Sequence, residues 1–191
     1  MRGLCSALLC TAALGACATV PPVRALLSWD LRAAQLQKAD AWQLEGRAAL
    51  AAGTQGWQAS LSWQQAREMS DVHLAGPLGV GALEVRLTPE GLTLNGEPPG
   101  EAVLARLRER IGYDLPLENL RYWLLGVPDP TSAFELSRNA EDRAAHLTQA
   151  DWTVDYERYM AVGGDVLPAR LVLNHAGVRL RIAVDRWEWG S

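Results

Sequence analysis

Three histidines, three cysteines and a scatter of carboxylates are the residues of this 191-residue chain with the chemistry to make or break bonds. His73, His146 and His175 stand roughly thirty or more residues apart, so they share none of the short spacings by which one helix or hairpin presents two metal ligands. They read as surface or strand histidines. No serine sits in a GxSxG turn that would expose it as a nucleophile. Gly76, Gly79 and Gly81 miss the GxGxxG order, and no strand-to-helix phosphate loop contains them. Asp151, Asp155 and Glu157 cluster along one segment and read as solvated charges. The sequence therefore nominates no nucleophile, no general base, no metal set and no cofactor site. With a net charge of -4 and no basic run, it also gives no footprint for nucleic acid.

The cysteines carry a different chemistry. Cys5, Cys10 and Cys17 all fall in the first 17 residues. Arg2, an apolar run from Leu4 to Leu14 and small residues before Cys17 have the form of a secretory signal, too short for a membrane span. The "LGAC" from Leu14 to Cys17 resembles the lipobox of bacterial lipoproteins. There, the chain is cut before the cysteine, its thiol carries diacylglycerol and the new amine is acylated. Removal of residues 1–16 leaves 175 residues with no other thiol, which excludes an intradomain disulfide or a cysteine nucleophile. The remaining 17 basic and 22 acidic residues give -5, so attachment to a bilayer would be mainly hydrophobic. Residues 17–23, with Pro21-Pro22, read as a short extended tether. Residues 24–191 read as one domain.

The aromatic residues are lopsided: eight Trp, four Tyr and one Phe. Trp63, Trp123, Trp152 and Trp187 lie in regular segments beside apolar neighbours. An indole is large, rigid and has one donor, so it packs a core and lines an apolar cavity equally well. Both roles stay open on composition.

The elements that must position these side chains follow from periodicity. Residues 24–41 have helical spacing, with Leu27, Leu31 and Ala34 as one stripe, widened by Leu26, Trp29, Ala33 and Leu36. The period then becomes two: in "WQASLSWQQ", Trp57, Ala59, Leu61 and Trp63 alternate with Gln58, Ser60, Ser62 and Gln64. "AWQLEGRAALA", "MSDVHLAG", "GALEVRLT" and "GLTLNG" complete a first set of strands, with a hairpin signal at Thr88-Pro89-Glu90-Gly91. "PPGEAVLARLRERIGY" reads as a helix with Leu104, Leu107 and Ile111 on one face and Gly112 as its stop. "LENLRYWLLG" reads as a second, ending at Gly126. "AFELS", "AAHLTQ", "WTVDYERY", "PARLVLNH" and "VRLRIAVDRWEW" follow as strands. Roughly ten strands with one early helix and a helical insertion predict an antiparallel sheet with helices on one face, in the α+β class.

"WQLEGRAAL", "WQASLSWQQ", "GPLGVGALEV", "IGYDLPLENLRYWLLGVP", "WTVDYERY", "LPARLVL" and "VDRW" stand in the order found in the LolB family, and between them they span about Trp42 to Trp187. The chain resembles that family, the outer-membrane lipoproteins that receive other lipoproteins in Gram-negative bacteria. The resemblance implies an incomplete antiparallel barrel of about eleven strands, with helices over its open side and an apolar cavity between. It implies a non-enzymatic monomer without cofactor, anchored through Cys17 at the periplasmic face of the outer membrane. Such a protein takes acylated lipoprotein cargo from the periplasmic carrier LolA and inserts it into outer-membrane phospholipid. By motif, Trp63, Trp123, Trp152 and Trp187 would line the acyl-chain cavity, and Pro77, Leu78 and Gly79 would form the membrane-transfer loop. Ala18 and Thr19 lack the aspartate that holds lipoproteins at the inner membrane.

On the residues alone two other readings stand beside this one: a lipid-anchored binding module for a small hydrophobic ligand or free lipid, and a structural envelope lipoprotein with an ordinary packed core. An acceptor assay separates the receptor from the binding module; the residue that separates the receptor from the structural lipoprotein is Leu78, an apolar side chain at a turn where Asn, Asp or Ser is usual. It either folds back to cap the core or projects. Pro77 stiffens the approach, and Gly79 and Gly81 permit unusual backbone.

Overall fold

A computed structural model of the chain describes residues 28–189. The expected signal, the acylated Cys17, the tether and residues 24–27 of the expected domain lie outside them.

The alternating segments form one ten-stranded antiparallel sheet. Its longest seam is the hairpin of β1 (Ala41–Ala52) and β2 (Gln55–Ala66), paired without interruption from Ala41 opposite Ala66 to Ala52 opposite Gln55. From β2 the sheet runs outward through β3 (Met69–Ala75), β4 (Leu83–Thr88) and β5 (Gly91–Leu94). On its other side β1 pairs with the last strand, β10 (Val178–Trp189), and the sheet continues through β9 (Asp165–His175), β8 (Trp152–Val162), β7 (Ala144–Gln149) and β6 (Phe134–Arg138). β5 and β6 are the two free edges, so the barrel stays open. The ten strands match the number read from the periodicity. The eleventh implied by the resemblance is absent among the described residues.

Among the described residues three helices cover one face: α1 (Trp29–Gln37), α2 (Glu101–Ile111) and α3 (Leu117–Leu124). Their placement follows the sequence, but two of their buried stripes differ from the expected ones. In α1 the buried residues are Trp29, Ala33 and Leu36, while Leu31 is 58 % exposed. Both stripes satisfy helical spacing, and the helix is turned to bury the larger indole. Arg32 fixes that rotation: its guanidinium binds the Asp165 carboxylate (Nε to Oδ1, 3.0 Å) and the Val166 carbonyl at the β8–β9 turn. In α2 the buried residues are Val103, Leu107 and Ile111, and Leu104 is 54 % exposed. Gly112 closes α2 at φ 84°, its N–H donating to the Arg108 carbonyl. The indole of Trp57 on β2 donates to the Ile111 carbonyl at 2.9 Å, which ties the end of α2 to the sheet.

The register of β1 against β10 shifts at Glu45/Gly46. A Cβ on Gly46 would lie 2.2 Å from the Ala183 carbonyl oxygen, so only glycine fits this bulge.

Candidate functional site

The sheet and helices enclose one core, and all four expected cavity tryptophans lie in it, each no more than 7 % exposed. They do not form one cluster. Trp63 and Trp187 meet through a third indole, Trp42, at centroid distances of 6.0 Å (stacked) and 5.5 Å (edge-on). Trp152 stacks on His175 at 5.2 Å and meets Tyr113, just past α2, at 6.0 Å. Trp123 stands apart on α3, its Nε1 donating to Gln149 Oε1 at 2.8 Å. Trp63 donates to Gln65 Oε1 and Trp187 to the Pro168 carbonyl. In this conformation the indoles are packed against their neighbours, and those of Trp63, Trp123 and Trp187 direct their donors to fixed acceptors.

Gln149 holds the α3 end of this core together. Its carbonyl also accepts the Asp129 N–H at 2.9 Å, and its amide donates to the Asp129 carbonyl and to Ser132. Tyr156 reaches across from β8 to the Trp123 carbonyl at 3.0 Å. Burial pushes the Tyr156 and Tyr159 phenols well above the ordinary tyrosine range, so both stay neutral donors.

Sequence reasoning missed Trp42 as a site residue, although it opens the alternating segment that predicts β1. Nothing local signals that it will bridge two other indoles, because Trp63 and Trp187 reach it only through the pairings of β1 with β2 and β10. The histidines lie on strands: His146 pairs with Asp155 at 2.7 Å on the surface, and His175 packs on Trp152.

The second feature is the connection between β3 and β4. Pro77–Gly79 forms a tight turn, and Leu78 at its centre is 103 % exposed. It does not fold back on the core. Its backbone is left-handed (φ 58°, ψ 22°), a conformation that costs a leucine roughly 1–2 kcal/mol. Gly79 and Gly81 also have positive φ. The turn closes on itself through hydrogen bonds from the Gly79 N–H to the Gly76 carbonyl and from the Gly76 N–H to the Val80 carbonyl. Val80 beside it is 73 % exposed. A strained apolar residue held in water at a closed tip gains no packing in the fold, which makes the tip a candidate functional feature.

A recess of about 890 Å³ opens beside the tip on the face of the sheet turned away from the helices. Leu78 borders it, and the four tryptophans do not.

An open antiparallel sheet with helices on one face is a fold shared with a solved protein of the LolA superfamily. The LolA superfamily protein NE2245 from Nitrosomonas europaea superposes with a TM-score of 0.56 over 86 % of this chain and 94 % of its own, at 11 % identity. The sequence narrows the assignment. The model of the family "Outer membrane lipoprotein LolB" matches residues 40–187. The outer-membrane lipoprotein LolB of Thiobacillus denitrificans is 34 % identical over 181 residues, 92 % of each chain. That of Ectopseudomonas mendocina is 33 % identical over 164 residues, covering 84 % of this chain and 80 % of its own. The chain belongs to the LolB family of outer-membrane lipoproteins.

Proposed function

We propose that this protein accepts acylated lipoproteins from the periplasmic carrier LolA and inserts them into the inner leaflet of the outer membrane. It works as an acylated monomer anchored through Cys17 and needs no cofactor. The observation that carries the reading is Leu78: a fully exposed leucine, held at a conformational cost on a closed tip, in a chain of this family.

The task sets the physics. Burying a methylene contributes about 0.8 kcal/mol, so each long acyl chain in water costs on the order of 10 kcal/mol. The cargo must pass between apolar sites without meeting water, and differences in affinity alone set the direction. The space between sheet and helices, lined by Trp63, Trp123, Trp152 and Trp187, is the acyl-chain site. Its walls already touch one another, so entry of a chain exchanges indole–indole and indole–aliphatic contacts for indole–acyl contacts. That exchange is nearly neutral when both partners are apolar. Release follows when the Leu78 tip enters the bilayer and joins the cavity to lipid.

The test is a two-stage transfer. Carrier loaded with a labelled lipoprotein is mixed with the full acylated receptor in vesicles, and the label is followed from carrier to receptor to lipid. Stoichiometric receipt followed by insertion is expected. Cargo that stays on the carrier at every receptor ratio rules the reading out.

A further inference from the structure

The recess beside the tip has a charge arrangement of its own. On the outward face, Ala183 of β10 lies directly between Arg47 of β1 and Arg170 of β9, and Arg181 stands two residues along β10. Arg47 and Arg170 are its direct cross-strand neighbours, so three arginines share this face of the sheet around one small side chain. Val172, opposite Arg181, is buried, which gives the recess an apolar floor. Arg47 is held by Asp185 at 2.9 Å. Arg170 and Arg181 make no ion pair among the described residues. One carboxylate, Glu157, also lines the recess and offsets part of the charge. Pro77, Leu78 and Gly79 form its rim.

Uncommitted arginines beside an exposed apolar tip match a lipid surface, where phosphate lies just above the hydrocarbon that a leucine enters. An acidic protein patch would match the arginines but leave Leu78 and Val80 in water. We propose that this recess seats the phosphate of an anionic phospholipid of the bilayer, with Arg170 and Arg181 as its ligands. The inference rests on the reading of Leu78 as a membrane tip and adds what holds the tip in place. The guanidiniums would set the tilt of the domain, so that Leu78 meets the leaflet at one angle.

The full acylated protein is placed in phosphatidylcholine vesicles containing phosphatidylglycerol with a photoreactive headgroup, and crosslinked peptides are identified. Crosslinks in β9 and β10 around Arg170 and Arg181 are expected, weakened by salt. Arg170→Gln with Arg181→Gln should lower their yield by about 25-fold, from about fivefold per arginine at an anionic surface. Both side chains are exposed, so the fold should be unchanged by circular dichroism. Leu78→Glu should block cargo insertion yet keep the crosslinks, which separates failure of the tip from failure of the recess. Crosslinks undiminished in the double variant overturn the proposal, as does equal labelling by a phosphatidylcholine probe. A double variant that loses carrier binding but keeps lipid crosslinks makes the recess a protein interface and also overturns it.

Discussion

Replacing Leu78 with glycine should stabilise the fold or leave it unchanged while it disables delivery. The side chain is fully exposed, so no native packing is lost. Its left-handed backbone costs leucine roughly 1–2 kcal/mol, which glycine does not incur. Glycine gives back about 0.5–1 kcal/mol through its freer unfolded state. The balance is a gain of about 0.5 kcal/mol. Delivery moves the other way. A leucine side chain entering hydrocarbon contributes about 2 kcal/mol, so its removal should lower occupancy of the inserted tip by about 30-fold. Leu78→Asn should behave alike, because asparagine tolerates the same backbone. Urea unfolding of the acylated protein in vesicles gives the first quantity, and the rate of cargo insertion gives the second. A loss of more than about 1 kcal/mol would mean that the leucine braces the core. Wild-type insertion in both variants would show that it has no part in transfer.

Two further substitutions test the scaffold. Gly46→Ala forces a Cβ to 2.2 Å from the Ala183 carbonyl in the middle of the sheet, and should cost about 1–3 kcal/mol in chemical denaturation. Gln149→Leu strands the Trp123 indole, the Asp129 N–H and the Asp129 carbonyl in a buried site, and should cost about 3 kcal/mol by the same assay. An unchanged midpoint in either variant would refute the packing described around that residue.

Strands such as β2 were legible because they carry their own alternation: Trp57 to Trp63 shows the inward face of β2 without help from any other segment. Helix position was legible for the same local reason, through the stop at Gly112 and the apolar run of α3. Helix rotation was not. In α1 two stripes obey the same spacing, and the choice of Trp29 over Leu31 depends on Arg32 meeting Asp165, 133 positions away. The tip shows the limit in another form. "PLG" announces a turn with a glycine in the left-handed region, and Gly79 does have φ 78°. That Leu78 shares this conformation is not announced by its residue type: it stands at the positive-φ position of the turn closed by the Gly79 N–H on the Gly76 carbonyl.

The same reasoning explains why the tryptophans left core and cavity undecided, and why packing alone does not choose between them. Indole presents a broad apolar face to whatever lies against it, whether another ring or an acyl chain. Trp42, Trp63 and Trp187 satisfy one another in the described conformation, and a chain inserted among them would satisfy them equally. A site for cargo that must be taken up and then surrendered gains from this near-degeneracy: a cavity that held empty space would be costly when unloaded, and one that bound acyl chains far more tightly than it bound itself would not release them. Direction then has to come from outside the core. Under the proposed function, the features that would supply it are the exposed Leu78 and the arginines beside it, on the opposite face of the sheet from the indoles they would help to empty.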